Sequence, residues 1–427
     1  MFKQLGRMVK PCRKSLPFVL SKQIKTLCPE PRILPSDVLV EEERVPGYRP
    51  EFFYPADPGR MLNNRYKILT KIGWGTSSTV WLAEDLERTT IPYVTLKITT
   101  SNPDFEDMVL HEFDINKRLT KYPSPPGFAF VRAAIDDFIA TGPTGVTHLC
   151  LVYEAMREPL SQFQHRLVGE KIPPQLLKVY VDFLLEGLEY LHSDCHIIHT
   201  DLKADNILMS FEDLDVIEEY VKAQGDHPMP RKTVSDRNIY FSHNDFGTLK
   251  SYWMLPKIVD FGLAHTVDGA EPLEHPIQPP LYHAPEVLLG CRYLEFGCAW
   301  CICNNREIAF QLFGPLENKE LFTHLKSQNG VYTAQAHLAE MIALLGPPPQ
   351  KLIDQEKHWR GIPWKRYFNH PETIPKGVKL DDCITCMSGE EKALFLSFVR
   401  KMLPWLPEDR KTAKELREDP WLQSGLD

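Results

Sequence analysis

"HTDLKADNIL", residues 199–208, is the stretch on which the fold turns. Two aspartates, a lysine and an asparagine crowd into the eight positions opened by His199. Phosphoryl transfer asks a protein mainly for positioning and charge neutralisation: a carboxylate near the accepting hydroxyl, hard oxygen ligands for a divalent cation, and a cation near the moving group. Asp201, Asn206 and Lys203 match those three demands in that order. Immediately upstream, "PPQLLKVYVDFLLEGLEYLHSD" (173–194) opens with prolines and carries Leu176, Val179, Tyr180, Phe183, Leu184, Leu188 and Leu191 at helical spacing, which predicts an amphipathic helix running into the motif. Downstream, "KIVDFG" (257–262) reads as a short strand and turn that offers Asp260 as a second metal ligand, with Gly262 permitting the turn.

Toward the N-terminus the pattern becomes strand-like. "RYKILTKIGWGTSSTVWLAED" (65–85) alternates apolar residues around a glycine-rich break, and "YVTLKITT" (93–100) is rich in β-branched residues. Gly73 and Gly75 allow a backbone to approach phosphate oxygens, although two glycines in a turn are weak by themselves, and Ser78 stands where a third would complete the pattern. Val80 as an apolar cover for a base and Lys97 as a point charge strengthen the set. "EDMVLHEFDINKRL" (106–119) fits a helical stripe of Met108, Phe113, Ile115 and Leu119, and its Glu112 is placed to bridge to Lys97. "APEVLL" (284–289) and "PEDRKTA" (407–413) supply Glu286 and Arg410 as a candidate buried ion pair.

The remaining composition sets bounds. At 427 residues and 43% hydrophobic the chain has material for a sizeable core, and no run of about 18 apolar residues predicts a membrane span. Ten cysteines in this length point to a reducing compartment. The net charge of −8 conceals an asymmetry: residues 1–29 hold seven Lys/Arg and no acid, which leaves −15 for the rest. That leader is read as a solvated arm, a nuclear-import signal or a mitochondrial presequence, the last disfavoured by Pro11, Pro17 and sparse serines.

Across residues 66–422 these motifs resemble the eukaryotic protein kinases. "LNNRYKILTKIGWGTSSTVWLAED" (62–85) and "IIHTDLKADNIL" (197–208) are similar to the serine/arginine-rich-protein kinases (SRPK), here of a fungal type, in which threonine follows the histidine of the catalytic loop. The resemblance implies an α+β, bilobal fold. Its mainly β N-lobe would span 61–156 and its mainly helical C-lobe 157–422, behind a largely disordered leader and Pro-rich linker at 1–60. It implies ATP contacted by Ile72, Gly73, Trp74, Gly75, Val80, Lys97 held by Glu112, and backbone groups from Glu154 to Met156. Mg²⁺ would be held by Asn206 and Asp260, Asp201 would act on the substrate hydroxyl and Lys203 on the phosphoryl group. Implied partners are Arg/Ser-rich proteins such as splicing factors, with no direct nucleic acid or membrane contact. The protein is expected to be a monomer of cytoplasm and nucleus.

One feature of this pattern bears on regulation, and two segments depart from it. Thr200 lacks the cation that in many protein kinases binds a phosphate on the activation segment, and between Asp260 and Glu286 the sole Ser or Thr is Thr266, so activity is expected without phosphorylation of that segment. Residues 211–255 read as an insert, with an acidic helix in the first half and loop in the rest. Within the atypical 291–320 segment, Cys298, Ala299 and Trp300 occupy the place where kinases put D-x-W, and a thiol is a poor replacement for a carboxylate that braces the catalytic loop. The alternative reading is therefore a catalytically impaired pseudokinase or scaffold that binds nucleotide or basic peptides. Cys298-x-x-Cys301 and Cys383-x-x-Cys386 offer a Cys₄ zinc site, against which stands the spacer of 81 residues between the pairs.

Overall fold

The computed structural model describes residues 31–123, 126–234, 237–252, 254–267, 278–289, 312–325, 330–354 and 373–424. Strands β1 (Met61–Leu62), β2 (Tyr66–Gly75), β3 (Ser78–Asp85), β4 (Tyr93–Thr99), β5 (Asp136–Thr141) and β6 (Thr147–Glu154) form one antiparallel sheet in the order β1-β2-β3-β4-β6-β5. Tyr66, Ile68, Trp81, Ala83, Val94, Leu96, Ile98, Cys150 and Val152 fill one face. Each large apolar side chain so buried contributes about 1.5–3 kcal/mol. Between β4 and β5 runs helix α1 (Glu106–Leu119), with acids in its first turn and Lys117 and Arg118 in its last, matching the helix dipole. Its buried stripe is Val109, Glu112, Ile115, Asn116 and Leu119. Met108 and Phe113, expected inside, sit at the margin, the face turned inward being the one that carries Val109 and Glu112.

The second half is mainly helical. Helix α2 (Leu160–His165) precedes α3 (Pro174–Glu189), which starts on its proline and turns inward a face shifted from the expected one: Leu177, Val181 and Leu185 are buried with Tyr180, Leu184 and Leu188, while Leu176, Val179 and Phe183 stay half-buried. A π-turn (Tyr190–Asp194) then delivers the chain to β7 (Ile197–Ile198) and the catalytic-loop motif. Strand β8 (Ile207–Met209) follows that loop.

The insert is more ordered than its sequence predicts. Helix α4 (Leu214–Asp226), capped by Asp213, is the acidic helix expected, but beyond it β9 (Arg231–Val234) and β10 (Arg237–Tyr240) form an antiparallel hairpin where loop was expected. Both pack on the sheet: Val216, Ile217 and Tyr220 of α4 meet Leu82 of β3, while Met229 and Tyr240 join the sheet core beside Trp81. Arg157 holds the two ends of the insert, donating to Glu212 at 3.0 Å and to the Gly247 carbonyl at 2.7 Å.

The expectation that residues 1–60 are largely disordered is corrected for 31–60, and residues 1–30 lie outside the described ones. The segment folds as a clasp over β2 and the insert hairpin. Lys71 of β2 is 1% exposed and pairs with Glu41 at 2.9 Å and Glu42 at 2.5 Å, while buried Lys232 of β9 pairs with Glu43 at 2.7 Å. Arg237 of β10 donates to the carbonyls of Pro50, Phe53 and Tyr54. Order here rests on charge pairs, captured carbonyls and a few isolated apolar anchors, Tyr54 and Ala56 in the sheet core with buried Val40 and Phe53, which together leave no apolar period in the sequence.

The chain re-enters the C-lobe through β11 (Pro256–Ile258), paired with β8, and β12 (His265–Thr266), paired with β7. Helices α5 (Pro285–Leu288), α6 (Ala334–Leu345) and α7 (Gly389–Met402) and two short helices (Ala413–Arg417, Pro420–Gln423) complete the helical core, in which Trp421 packs between Phe395 and Phe398. No described helix is long and apolar enough to cross a membrane.

Candidate active site

The sheet register sets out the first half of the site. Gly73 pairs with Val80 and Val80 with Lys97, so the glycine strand, the apolar cover and the lysine lie in one row across β2, β3 and β4. A Cβ on Gly73 would meet the Val80 Cβ at 3.6 Å, an ordinary contact, and neither Gly73 nor Gly75 needs a positive φ. The glycines therefore serve to leave the strand surface open rather than to make a turn. Ile72 is half-buried beside Leu82 and Ala155, and Trp74 is largely exposed near the hairpin tip.

Lys97 reaches Glu112 of α1 through both carboxylate oxygens, at 2.6 and 2.7 Å, and lies 3.6 Å from Asp260. Burial opposes the lysine's charge, but Glu112 and Asp260 outweigh it and hold its pKa above the usual range. Glu112 is itself anchored: Tyr153 donates to it at 3.4 Å, and Asn116 ties the same turn to Ala134. At Asp260, whose side chain is only partly buried, desolvation opposes ionisation, and Lys97, with His199 and Lys203 behind it, more than offsets that, keeping the carboxyl below its ordinary pKa.

The motif at 199–208 supplies the other half. Asp201 accepts from Lys203 at 2.7 Å and from Asn206 Nδ2 at 2.9 Å, and the same Asn206 nitrogen also donates to the Asp201 carbonyl at 2.8 Å. This orientation leaves Asn206 Oδ1 without a protein donor among the described residues. The backbone N–H of Val259 donates to the Asn206 carbonyl at 3.0 Å, which seats Asp260 next to Asn206. Hard oxygens of Asn206 and Asp260 beside two ammonium groups suit Mg²⁺ and an anionic polyphosphate, so the residues present fit those ligands. His199 donates from Nε2 to the Val259 carbonyl at 2.8 Å and accepts the Asp201 N–H on Nδ1 at 3.3 Å. Burial lowers its pKa, in keeping with a neutral ring that can do both. Thr200 and Asp260 hold left-handed backbone (φ 64° and 65°), strain that these surrounding bonds maintain.

Residues 154–156, expected to meet adenine through backbone groups, follow the end of β6. The Glu154 carbonyl already accepts from Arg132, at 2.6 and 3.0 Å, and its side chain pairs with Lys257. Arg132 lies over the Tyr153 ring, and burial lowers its pKa to about 10. The Met156 N–H, by contrast, has no partner among the described residues and is one backbone group open to a ligand. Glu286 and Arg410 form the buried pair expected of them, two parallel bonds of 2.7 Å.

Sequence reasoning missed the task of the Thr200 side chain, which donates to the Leu263 carbonyl at 2.5 Å and so ties the catalytic loop to the activation segment directly. It also missed a cleft of about 260 Å³ beside Ala204 and Asp205, bounded by Ser161, Tyr282 and Glu320. Ser161 donates to one Asp205 oxygen at 2.7 Å. A shape formed by four separated segments leaves no local signal. Cys298, Ala299, Trp300 and Cys301 lie outside the described residues, so the altered brace and the Cys₄ reading fall there too. Among the described residues no cluster of three or more His, Cys, Asp or Glu could hold a metal.

Residues 66–422 match the protein kinase domain family, and the chain belongs to it. It is 37% identical over 401 residues to a serine/threonine protein kinase of Aspergillus fumigatus, covering 91% of this chain and 92% of that one. It is 28% identical over 411 residues to the serine/threonine-protein kinase SRPK of Physarum polycephalum, covering 90% and 91%. The crystal structure of a kinase domain superposes with a TM-score of 0.60 at 19% identity, over 87% of this chain and 99% of the other, which shows the bilobal kinase fold. The protein is a serine/threonine kinase similar to the SRPK group.

Proposed function

We propose that the protein transfers the γ-phosphoryl group of ATP to serine in Arg/Ser-rich proteins such as splicing factors, in cytoplasm and nucleus. The observation that carries the reading is the pairing of Asp201, fixed by Lys203 and Asn206, with the Lys97–Glu112–Asp260 cluster. Asp201 orients the serine hydroxyl and accepts its proton, Lys203 steadies the moving phosphoryl group, Lys97 contacts the phosphates, and Asn206 with Asp260 would hold Mg²⁺, which would supply neutralisation of the polyphosphate charge. Arginine-rich substrates are favoured by the acidic body of the chain and by Asp205 and Glu320 in the wall of the cleft beside the catalytic loop, a wall that also carries His165 and Lys319.

The test is transfer of labelled phosphate from Mg-ATP to an Arg-Ser repeat peptide, beside a Lys-Ser repeat, a peptide without basic residues and an Asp201→Ala control. Transfer by the wild type with preference for the Arg-Ser peptide is expected. Equal rates on all three peptides would remove the substrate assignment and keep the kinase; nucleotide binding with no transfer to any of them would favour the scaffold.

A further inference from the structure

Helix α1 presents two neighbouring side chains to the site in different ways. Glu112 reaches up to Lys97, while His111 reaches across to the segment that follows Asp260, its Nε2 lying 2.6 Å from the Ala264 carbonyl. Ala264 is fully buried, and the residue before it is held from the other side by the Thr200 bond to the Leu263 carbonyl. Two adjacent carbonyls are thus gripped by two different elements, one in the N-lobe helix and one in the catalytic loop. The grip extends further, because the Gln278 N–H donates to the Thr200 carbonyl at 2.8 Å and the Val267 N–H to His196 at 3.0 Å. No described basic side chain is called on to bind a phosphate in this arrangement.

We propose that His111 is a positioning residue for phosphoryl transfer: its bond to Ala264, acting with that of Thr200 to Leu263, keeps α1 closed so that Glu112, Lys97 and Asp260 stay in register. This rests on the roles proposed above for those three residues. A swing of α1 away from the cleft carries Glu112 off Lys97 and must break the His111 bond at the same time, so the imidazole senses the position of the helix. Nε2 must carry the proton, and a glutamine amide nitrogen can occupy nearly the same place, whereas alanine cannot. Loss of one such bond shifts a two-state equilibrium by about tenfold.

The experiment uses the full chain as wild type, His111→Ala, His111→Gln, Thr200→Val and the double variant His111→Ala/Thr200→Val. It reads kcat and the KM for ATP, melting temperature, and amide hydrogen exchange over residues 261–267. Expected are a fall in kcat of about tenfold in His111→Ala with the melting temperature nearly unchanged, recovery to within about threefold in His111→Gln, and a double variant that loses less than the product of the single losses, because both bonds hold one segment. Exchange over 261–267 rises in His111→Ala and returns in His111→Gln. Unchanged kcat and exchange in His111→Ala, or equal losses in the alanine and glutamine variants, would overturn the proposal. Should the wild type transfer no phosphate, the functional reading fails, and the exchange measurement still decides whether His111 holds the segment.

Discussion

The catalytic cluster and the clasp are both built from buried or half-buried charges, yet they are put together in opposite ways. In the cluster, Asp201, Lys203 and Asn206 come from one loop, and the partners from elsewhere sit in or just after short recognisable elements: Lys97 in β4, Glu112 in α1 and Asp260 two residues beyond β11. In the clasp, Glu41, Glu42 and Glu43 meet Lys71 and Lys232, the latter nearly 190 residues along the chain, and of these only Lys71 lies in a stretch with a legible alternation. The cluster keeps part of its charge facing a cleft, Asp260 being 52% exposed in its side chain, whereas the clasp closes fully over its lysines. An open charge can serve a ligand; a closed one can only serve the fold.

The sharpest way to break the contrast is Asp201→Ala, which should lower kcat by roughly 10³ with the melting temperature preserved, since it removes the group proposed to act on the hydroxyl and no packing. Lys71→Met should do the reverse. It strands two buried carboxylates and is expected to destabilise by about 3–5 kcal/mol in denaturant unfolding, with turnover per folded molecule near wild type. Glu42→Gln leaves Glu41 on the lysine and should cost only about 1–2 kcal/mol. Equal penalties for the two substitutions would show that the pairs are not shared as described.

A smaller effect is expected from acid. Burial lowers the pKa of His192 to about 4 and that of His148 below its usual value. An unfolded chain protonates these rings near pH 6.5 while the folded one does not, so unfolding takes up protons between about pH 6.5 and 4 and stability falls as pH falls through that window. Above it the two rings contribute no slope. Melting temperatures at pH 7.5, 5.5 and 4.5 should drop in that order, and His192→Leu should flatten the drop. The smallest effect belongs to Thr266→Ala. Thr266 is exposed in β12 and Thr200 reaches the activation segment without a phosphate, so activity should stay within about twofold of wild type, before and after phosphatase treatment. A loss restored only by phosphate at Thr266 would reverse that expectation.

What could be read from the sequence follows the same division. The spacing of Asp201, Lys203 and Asn206, the strand position of Lys97 and the turn at Asp260 are local, and the structure brings all of them together. Glu286 and Arg410 lie far apart, but each belongs to a distinctive short motif, and their pair forms. The hairpin "RKTV" and "RNIY" was not legible because four-residue strands flanked by polar residues carry too few alternations, and its apolar contacts, Met229 and Tyr240 against Trp81, belong to another part of the chain. The Arg132 bond to the Glu154 carbonyl was hidden for a similar reason: nothing in the sequence says which way a long cationic side chain will lie.

The excursion of residues 211–255 out of the C-lobe and onto the sheet has a consequence for biogenesis. When the last strand of the sheet, ending at Glu154, leaves the ribosome, Lys71 still lacks the wall that Tyr240 provides, and some 85 further residues must be made first. At about 5–20 residues per second the half-finished sheet waits on the order of 4–17 s with its outer surface bare. A nascent chain in that interval is a natural client for chaperones, and slowing translation between codons 155 and 240 should lower the yield of folded protein more than slowing it afterwards.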